Sequence, residues 1–290
     1  KHIESSDIQS AVQEGSFSAS TDFSRIAEVE SILICVPTPL DQHRDPDISY
    51  VIKSGEAIAP HLKSLSAGKA KLVVLESTTY PGTTEELLIP LLEGSGLIAG
   101  QDFYVAYSPE RIDPGNKEFT LRNTPKVVGG ICPSSTNRAV EFYSRLVDEV
   151  VVSGGVKEAE MTKILENTYR HINIALVNEM AQFCAELEID LWDAIRCAST
   201  KPFGFSPFFP GPGVGGHCIA VDPWFLVARD FKNTKLIRTA REVNDHKPKW
   251  VINNIKSGDL ALYCRSEHKV YPTYCIVISH INTDYEYYYK

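Results

Sequence analysis

Apolar residues follow two rhythms along this chain of 290 residues. Up to about residue 153 they form short unbroken runs: Ser31-Ile-Leu-Ile-Cys-Val36, Lys71-Leu-Val-Val-Leu75, Phe103-Tyr-Val-Ala-Tyr107, Lys126-Val-Val-Gly-Gly130 and Glu149-Val-Val-Val152. Such runs, rich in β-branched and aromatic residues, predict strands buried on both faces. Between them the text predicts helices at 47–65, from a Thr83 cap through Leu92, and between the last two strands. Strands alternating with helices indicate an α/β domain around a parallel sheet. Ligands of such sheets bind beyond the carboxyl ends of the strands. The turns after Val36, Leu75 and Tyr107 lie at that edge.

From Lys157 the rhythm changes. Met161, Ile164, Leu165, Thr168, Ile172, Ala175, Leu176, Met180, Phe183 and Leu187 recur every three or four residues, with no Pro or Gly from 156 to 191. This predicts one helix of about eight turns, with Lys163, Asn167, Arg170 and Asn173 as a polar stripe opposite the apolar one. A second helix is expected at 191–199. Next comes Lys201-Pro-Phe-Gly-Phe-Ser-Pro-Phe-Phe-Pro-Gly-Pro-Gly-Val-Gly-Gly-His-Cys218, too rich in Pro and Gly for helix or strand and too aromatic for a disordered linker. A long structured loop inside a domain is usually functional. Helices are expected again at 222–232 and 234–255. Residues 257–290 hold one convincing strand, 274–278, then a tyrosine-rich tail.

Composition narrows the classes. Lys plus Arg number 29 against 37 Asp plus Glu, a net charge of −8. That argues against a general nucleic-acid binder, but not against a local anion pocket. No apolar run approaches a membrane span, and the first residues have no signal-peptide pattern. The seven cysteines contain no Cys-x-x-Cys pair, and the histidines show no zinc spacing, so the sequence predicts neither a disulfide framework nor a metal site. A reducing cytoplasm is the expected setting. His217 beside Cys218 does not make a Cys–His relay, because adjacent side chains of an extended segment point to opposite faces. No Gly-x-Ser-x-Gly elbow is present.

Several segments, in order over about residues 1–255, resemble the UDP-glucose/UDP-N-acetylhexosamine 6-dehydrogenase family. They are Val36-Pro-Thr-Pro39, Glu76-Ser-Thr-Thr-Tyr-Pro-Gly-Thr83, Ser108-Pro-Glu-Arg111 with Asp113-Pro-Gly-Asn116, Lys163 with Asn167, the loop ending Gly215-Gly-His-Cys218 with Asp222, and Arg241-Glu-Val-Asn-Asp245. The wording is most similar to members acting on UDP-N-acetylglucosamine or UDP-N-acetylmannosamine. The resemblance implies an incomplete Rossmann-like NAD-binding domain at 1–153, a central helical substrate and dimerisation domain at 154–256, and a remnant of a second, UDP-binding Rossmann-like domain at 257–290. The family's Gly-rich phosphate turn does not occur near the start. The sequence therefore reads as a fragment, or as a chain with stretches closed up.

Turning an alcohol into an acid takes two hydride transfers with an aldehyde between them, and a thiolate can hold that aldehyde as a thiohemiacetal and then a thioester. The resemblance assigns this to Cys218; the plainer reading is a small core thiol. By the same resemblance Lys163 stabilises the oxyanion, Asn167 holds water or substrate, and Asp222 assists proton transfer. Glu110 guides water for thioester hydrolysis, and Thr78 meets a water or the cofactor. Plainer readings make Lys163 a surface lysine, Asp222 a helix N-terminal acid, Glu110 a turn acid paired with Arg111, and Thr78 a turn hydroxyl. NAD is expected along Val36, Pro37, Thr38, Ser77 and Thr78. The UDP-sugar is expected against Glu110, Arg111, Lys163, Asn167, Phe209, Pro210, Gly211, Pro212, Gly213 and Gly216, with the loop offering backbone N–H groups. The apolar face of the long helix is the expected homodimer seam.

Three rivals stay open: a UDP-glucose dehydrogenase, a non-catalytic remnant that keeps the dimerisation helix, and a one-step hydroxy-acid dehydrogenase.

Overall fold

A computed structural model describes residues 3–63, 70–113, 116, 118–215 and 218–254. The expected strand at 274–278 and the proposed domain remnant at 257–290 lie outside the described residues. The chain divides into two compact units. One runs to Asn173 and includes Gly215–Thr239; the other comprises Ile174–Val214 and the chain from Ala240.

The first unit is built on five strands: β1 (Ser31–Ile34), β2 (Lys71–Leu75), β3 (Phe103–Tyr107), β4 (Lys126–Gly130) and β5 (Val150–Val152), side by side in that order. In β1 and β2, Ser31 faces Leu72; in β2 and β3, Lys71 faces Phe103; both pairs are parallel, as are β4 and β5. The β3–β4 pair is antiparallel, with Tyr107 opposite Gly129, so the expected parallel sheet is mostly parallel with one antiparallel pair. The reason lies in the connections. A parallel neighbour needs a crossover, usually helical. α2 (Ser49–Ile58) follows β1, α3 (Ile89–Glu93) follows β2 and α4 (Pro133–Tyr143) follows β4. Between β3 and β4 no helix occurs among the described residues, and the chain doubles back.

Side chains alternate across the sheet. Ile32, Ile34, Val73, Leu75, Phe103, Val105 and Tyr107 pack on one side with Val51, Leu88, Leu92 and Ala159. Leu72, Val74, Ala106 and Val128 pack on the other with Ala139 and Tyr143 of α4. Burial on both faces is why β2, β3 and β4 carry unbroken apolar runs; the edge strands β1 and β5, expected to be buried likewise, expose Leu33, Val151 and Val152 because no neighbour among the described residues covers them. Each fully buried side chain of this kind contributes about 1.5–3 kcal/mol. α1 (Ser5–Gln13) precedes the sheet and buries no residue.

One expected cap goes unused and one expected helix start lies four residues too late. Thr83 is not a cap: its backbone is already helical, and its hydroxyl donates to Tyr80 O at 2.7 Å. The chain winds as a π-turn over Thr84–Leu88 before α3. The open N–H groups at this end go instead to a distant carboxylate. Glu160, fully buried, accepts from Gly82 N at 2.5 Å, Thr84 N at 2.8 Å and Thr84 Oγ1 at 2.7 Å. A charged acceptor makes stronger bonds to such orphan donors than a hydroxyl does. Similarly, α7 is Cys218–Arg229, so Asp222 sits in its second turn rather than at its N-terminus.

The long helix is α5 (Val156–Glu186), 31 residues. Glu188 then takes a left-handed conformation, φ 55°. Asp190 caps α6 (Leu191–Ala198) by accepting from Trp192 N and Asp193 N. α8 is Lys235–Asn254. On α5 the expected faces are redistributed. Its buried positions include Glu160, Asn167, His171 and Asn178, whereas Leu165, Tyr169, Leu176, Met180 and Phe183 are exposed. Polar groups point inward because they have inward partners. Among the described residues no helix is long and apolar enough to cross a membrane, and no acidic, Cys or His cluster suits a metal.

Candidate active site

Three expected residues of the first unit, Lys163, Asn167 and Asp222, come together around Cys218. The spacing of Lys163 and Asn167 places them one turn apart on α5. Cys218 and Asp222, also four apart, stack in the same way at the start of α7. The helices are joined by Asn167 Nδ2 donating to Asp222 Oδ2 at 2.5 Å, with both side chains buried. Asn167 thus holds the carboxylate.

Cys218 is exposed, at the positive end of a 12-residue helix, a position that favours a thiolate. Its surroundings pull in both directions. Desolvation raises its pKa most, the Asp222 carboxylate raises it further, and the Lys163 ammonium and Arg170 guanidinium pull it down; the sum lies above the ordinary thiol value. Since the residue as a whole is open to water, the desolvation is local to the sulfur. The arrangement is a thiol with an adjacent proton acceptor and two cations. Arg170, which the sequence offered only as part of a polar stripe, belongs to it. A sixth group lies near the Asp222 carboxylate: the Tyr107 hydroxyl, fully buried, donates to Ser77 O at 3.2 Å. It feels the charges of both Glu160 and Asp222, and burial before all else pushes its pKa up.

The turns at the strand ends are knitted together. Ser77 Oγ accepts from Val36 N at 2.8 Å and lies 2.8 Å from Val36 O and 3.2 Å from Ile34 O. Ser77, expected on the cofactor, is therefore spent on joining the turn after β1 to the turn after β2. Thr38 and Thr79 are buried. Of the three hydroxyls at 77–79, Thr78 alone is partly open.

Glu110 does not pair with Arg111. Its Oε1 accepts from Ile112 N at 2.8 Å and its Oε2 from Lys126 Nζ at 3.2 Å. Lys126 is buried, also 3.5 Å from Glu76, which in turn accepts from the Tyr143 hydroxyl. Cys35 reaches Glu76 at 3.7 Å, and its thiol is pushed up to about 11 by desolvation and then by that carboxylate. Such a thiol stays protonated and is a poor nucleophile. Arg111 pairs with Glu166 of α5 at 2.7 Å and donates to Pro125 O at 2.8 Å. The Glu110–Arg111 turn is thereby tied to the helix of Lys163 and Asn167.

Phe209, Pro210, Gly211, Pro212 and Gly213 belong to the second unit. Phe209 stacks on Trp192 at 5.6 Å between ring centres. Gly211 N donates to Asn178 Oδ1 at 2.9 Å, so one of the N–H groups expected for the ligand is already used. Gly216 lies outside the described residues. Sequence reasoning missed Glu160 and Asn178. Their signal was weak: charged or amide residues at interior positions of a helix, aligned with apolar ones.

Comparison with known proteins identifies two family domains in the chain. Residues 3–147 match the NAD binding domain of the UDP-glucose/GDP-mannose dehydrogenase family, and 157–246 match its central domain. A UDP-N-acetyl-D-mannosamine dehydrogenase of Escherichia coli K12 is 42% identical over 258 residues, 87% of this chain and 59% of that protein. The one from Methanocaldococcus jannaschii is 39% identical over 86% of this chain and 55% of its own length. The chain thus spans less than two thirds of these relatives. Among solved structures, a UDP-D-ManNAc dehydrogenase from Pyrococcus horikoshii superposes with a TM-score of 0.79 at 33% identity, covering 87% of this chain and 60% of the other.

Proposed function

The chain belongs to the UDP-glucose/GDP-mannose dehydrogenase family, and from that premise we propose that it oxidises the C6 alcohol of UDP-N-acetylmannosamine to the uronate in two NAD-dependent steps through Cys218. The observation that supports this reading is the gathering of Cys218, Lys163, Asn167 and Asp222 on two helices. The names of the similar proteins favour the mannosamine epimer over the glucosamine one.

Bound NAD accepts the hydride in each oxidation. The chain's own residues manage the protons and the oxygen. Lys163 faces the oxygen of C6 and stabilises it as negative charge develops, first on the alcohol and then on the thiohemiacetal. Asp222 takes the thiol proton, and the Cys218 sulfur forms a bond to the aldehyde carbon. After the second oxidation that carbon is a thioester. Water then adds to it, the carbon–sulfur bond breaks, and the sulfur recovers a proton. One CH2OH, two NAD+ and one water become one carboxylate, two NADH and three protons. Asn167, by fixing Asp222, keeps the acceptor beside the sulfur. Glu110, half-open and bonded to Lys126, is a second carboxylate for aligning water.

The product is a nucleotide-linked uronate, suited to serve as a donor for surface polysaccharide. The outward apolar side chains of α5, Leu165, Leu176 and Phe183 among them, are the surface we assign to a second copy of the chain; a monomer in sedimentation at every concentration would remove that assignment. The catalytic reading is tested by stoichiometry. Wild-type protein given UDP-N-acetylmannosamine and excess NAD+ yields two NADH per sugar. One NADH per sugar, with an aldehyde or ketone as product, rejects it in favour of a one-step dehydrogenase.

A further inference from the structure

The second unit contains a polar node to which the sequence assigns no role. Asn178 lies inside α5, where an amide side chain is a poor helix former, and it is fully buried. Its Nδ2 donates to Asn244 Oδ1 of α8 at 2.9 Å, and its Oδ1 accepts from Gly211 N at 2.9 Å. Its backbone oxygen accepts from Lys247 Nζ at 3.3 Å. Asn244 and Lys247 are buried too, 1% and 3% exposed. The arrangement therefore costs three side chains their solvation, and their mutual hydrogen bonds offset it.

What the node holds is specific. Pro210 and Pro212 have no N–H, so the segment Pro210-Gly211-Pro212-Gly213 offers two backbone donors, on Gly211 and Gly213. The first is clamped by Asn178. The second residue is fixed by fit. Gly213 has φ +146°, and a Cβ there would come within 3.2 Å of Asn244 O and 3.1 Å of Pro248 Cγ. Gly211 is thus held against α5 by a hydrogen bond and Gly213 against α8 by close backbone approach. The prolines stiffen the loop between these anchors.

We infer that Asn178 and Asn244 are positioning residues for sugar-nucleotide binding. They hold the 209–213 loop in one shape before the ligand arrives and so lower the ordering cost of binding. This rests on the reading above that the loop meets the UDP-sugar. It gives a role to the Arg241-Glu-Val-Asn-Asp245 segment through Asn244, a residue that itself need not touch the ligand.

The test uses the full chain. In Asn178→Ala, amide hydrogen exchange over 203–214 rises about tenfold, and the Kd for UDP-N-acetylmannosamine in calorimetry rises about tenfold. Alkylation of Cys218 by iodoacetamide, read by peptide mass, stays within about twofold of wild type, as expected if the first unit is undisturbed. Asn244→Ala moves loop exchange and sugar affinity in the same direction, less far, and serves if the first variant does not fold. Unchanged loop exchange in folded variants overturns the inference. So does a loosened loop with unchanged sugar affinity. A wild-type chain that binds no UDP-sugar at all brings down the functional reading and this inference with it, and is recognised because wild type, not the variant, is silent.

Discussion

Two stretches of α5 carry buried polar groups to opposite ends. In the earlier stretch, Lys163 and Asn167 meet Cys218 and Asp222; Lys163 and Asp222 are charged, the thiol is open to water, and the carboxylate raises its pKa while the cations lower it. In the later stretch, Asn178 meets Asn244 and Gly211; the groups linking them are neutral amides, sealed from water and joined donor to acceptor. The first suits a reaction, in which charge must change. The second suits a fixed shape, in which nothing should change. The lesson is that burial of a polar residue does not by itself mark chemistry; unbalanced charge beside an accessible nucleophile does.

The sharpest way to break this comparison is Cys218→Ser. Turnover of UDP-N-acetylmannosamine to the uronate should fall by about 10³-fold or more, as for other enzymes deprived of their nucleophile. NADH release should stop at the aldehyde level, with the aldehyde trapped by hydroxylamine. A Ser variant that retains near-normal uronate formation would reduce the first cluster to a structural one, like the second.

A smaller effect separates the charged terms. Because Asp222 raises the pKa of Cys218, Asp222→Asn should lower it, and the pH profile of Cys218 alkylation should move to lower pH. The thiolate, and with it the alkylation rate at neutral pH, should increase several-fold. A profile shifted upward would show that Asp222 supports the thiolate rather than opposing it.

The smallest effect concerns the second cluster. Burial lowers the pKa of Lys247 from 10.5 to about 8. Between those values the unfolded chain binds a proton that the folded chain has released, so the stability contributed by this group rises with pH across the window and is lowest below about 8. Lys247→Met should flatten that rise and raise the thermal midpoint at pH 7 by a few degrees. An unaltered pH dependence would mean that Lys247 stays fully protonated, with partners that compensate its burial.

Some features were legible because their physics is local. The spans of β2, β3 and β4 follow from the apolar runs that fill Lys71–Leu75, Phe103–Tyr107 and Lys126–Gly130 after their first residues, since a strand buried on both faces favours apolar side chains at successive positions. The length of α5 follows from the absence of Pro and Gly. Cys218, Lys163, Asn167 and Asp222 were legible through the wording of their motifs, and the i, i+4 spacings set each pair on one helix face.

What required tertiary structure is every property that depends on a partner distant in sequence. Thr83 has the chemistry of a cap, but Glu160, 76 residues beyond Thr84, takes the donors, because a buried carboxylate is a stronger acceptor. Glu110 stands beside Arg111 in the chain and bonds Lys126 instead. The inward and outward faces of α5 were exchanged in part, since periodicity records which residues are apolar and not which polar ones find partners inside. The chain by itself determined its elements, the turns at the sheet edge and the candidate nucleophile. Folding decided which carboxylate meets which donor, because hydrogen bonds and charges act over a few ångströms of space regardless of separation along the sequence.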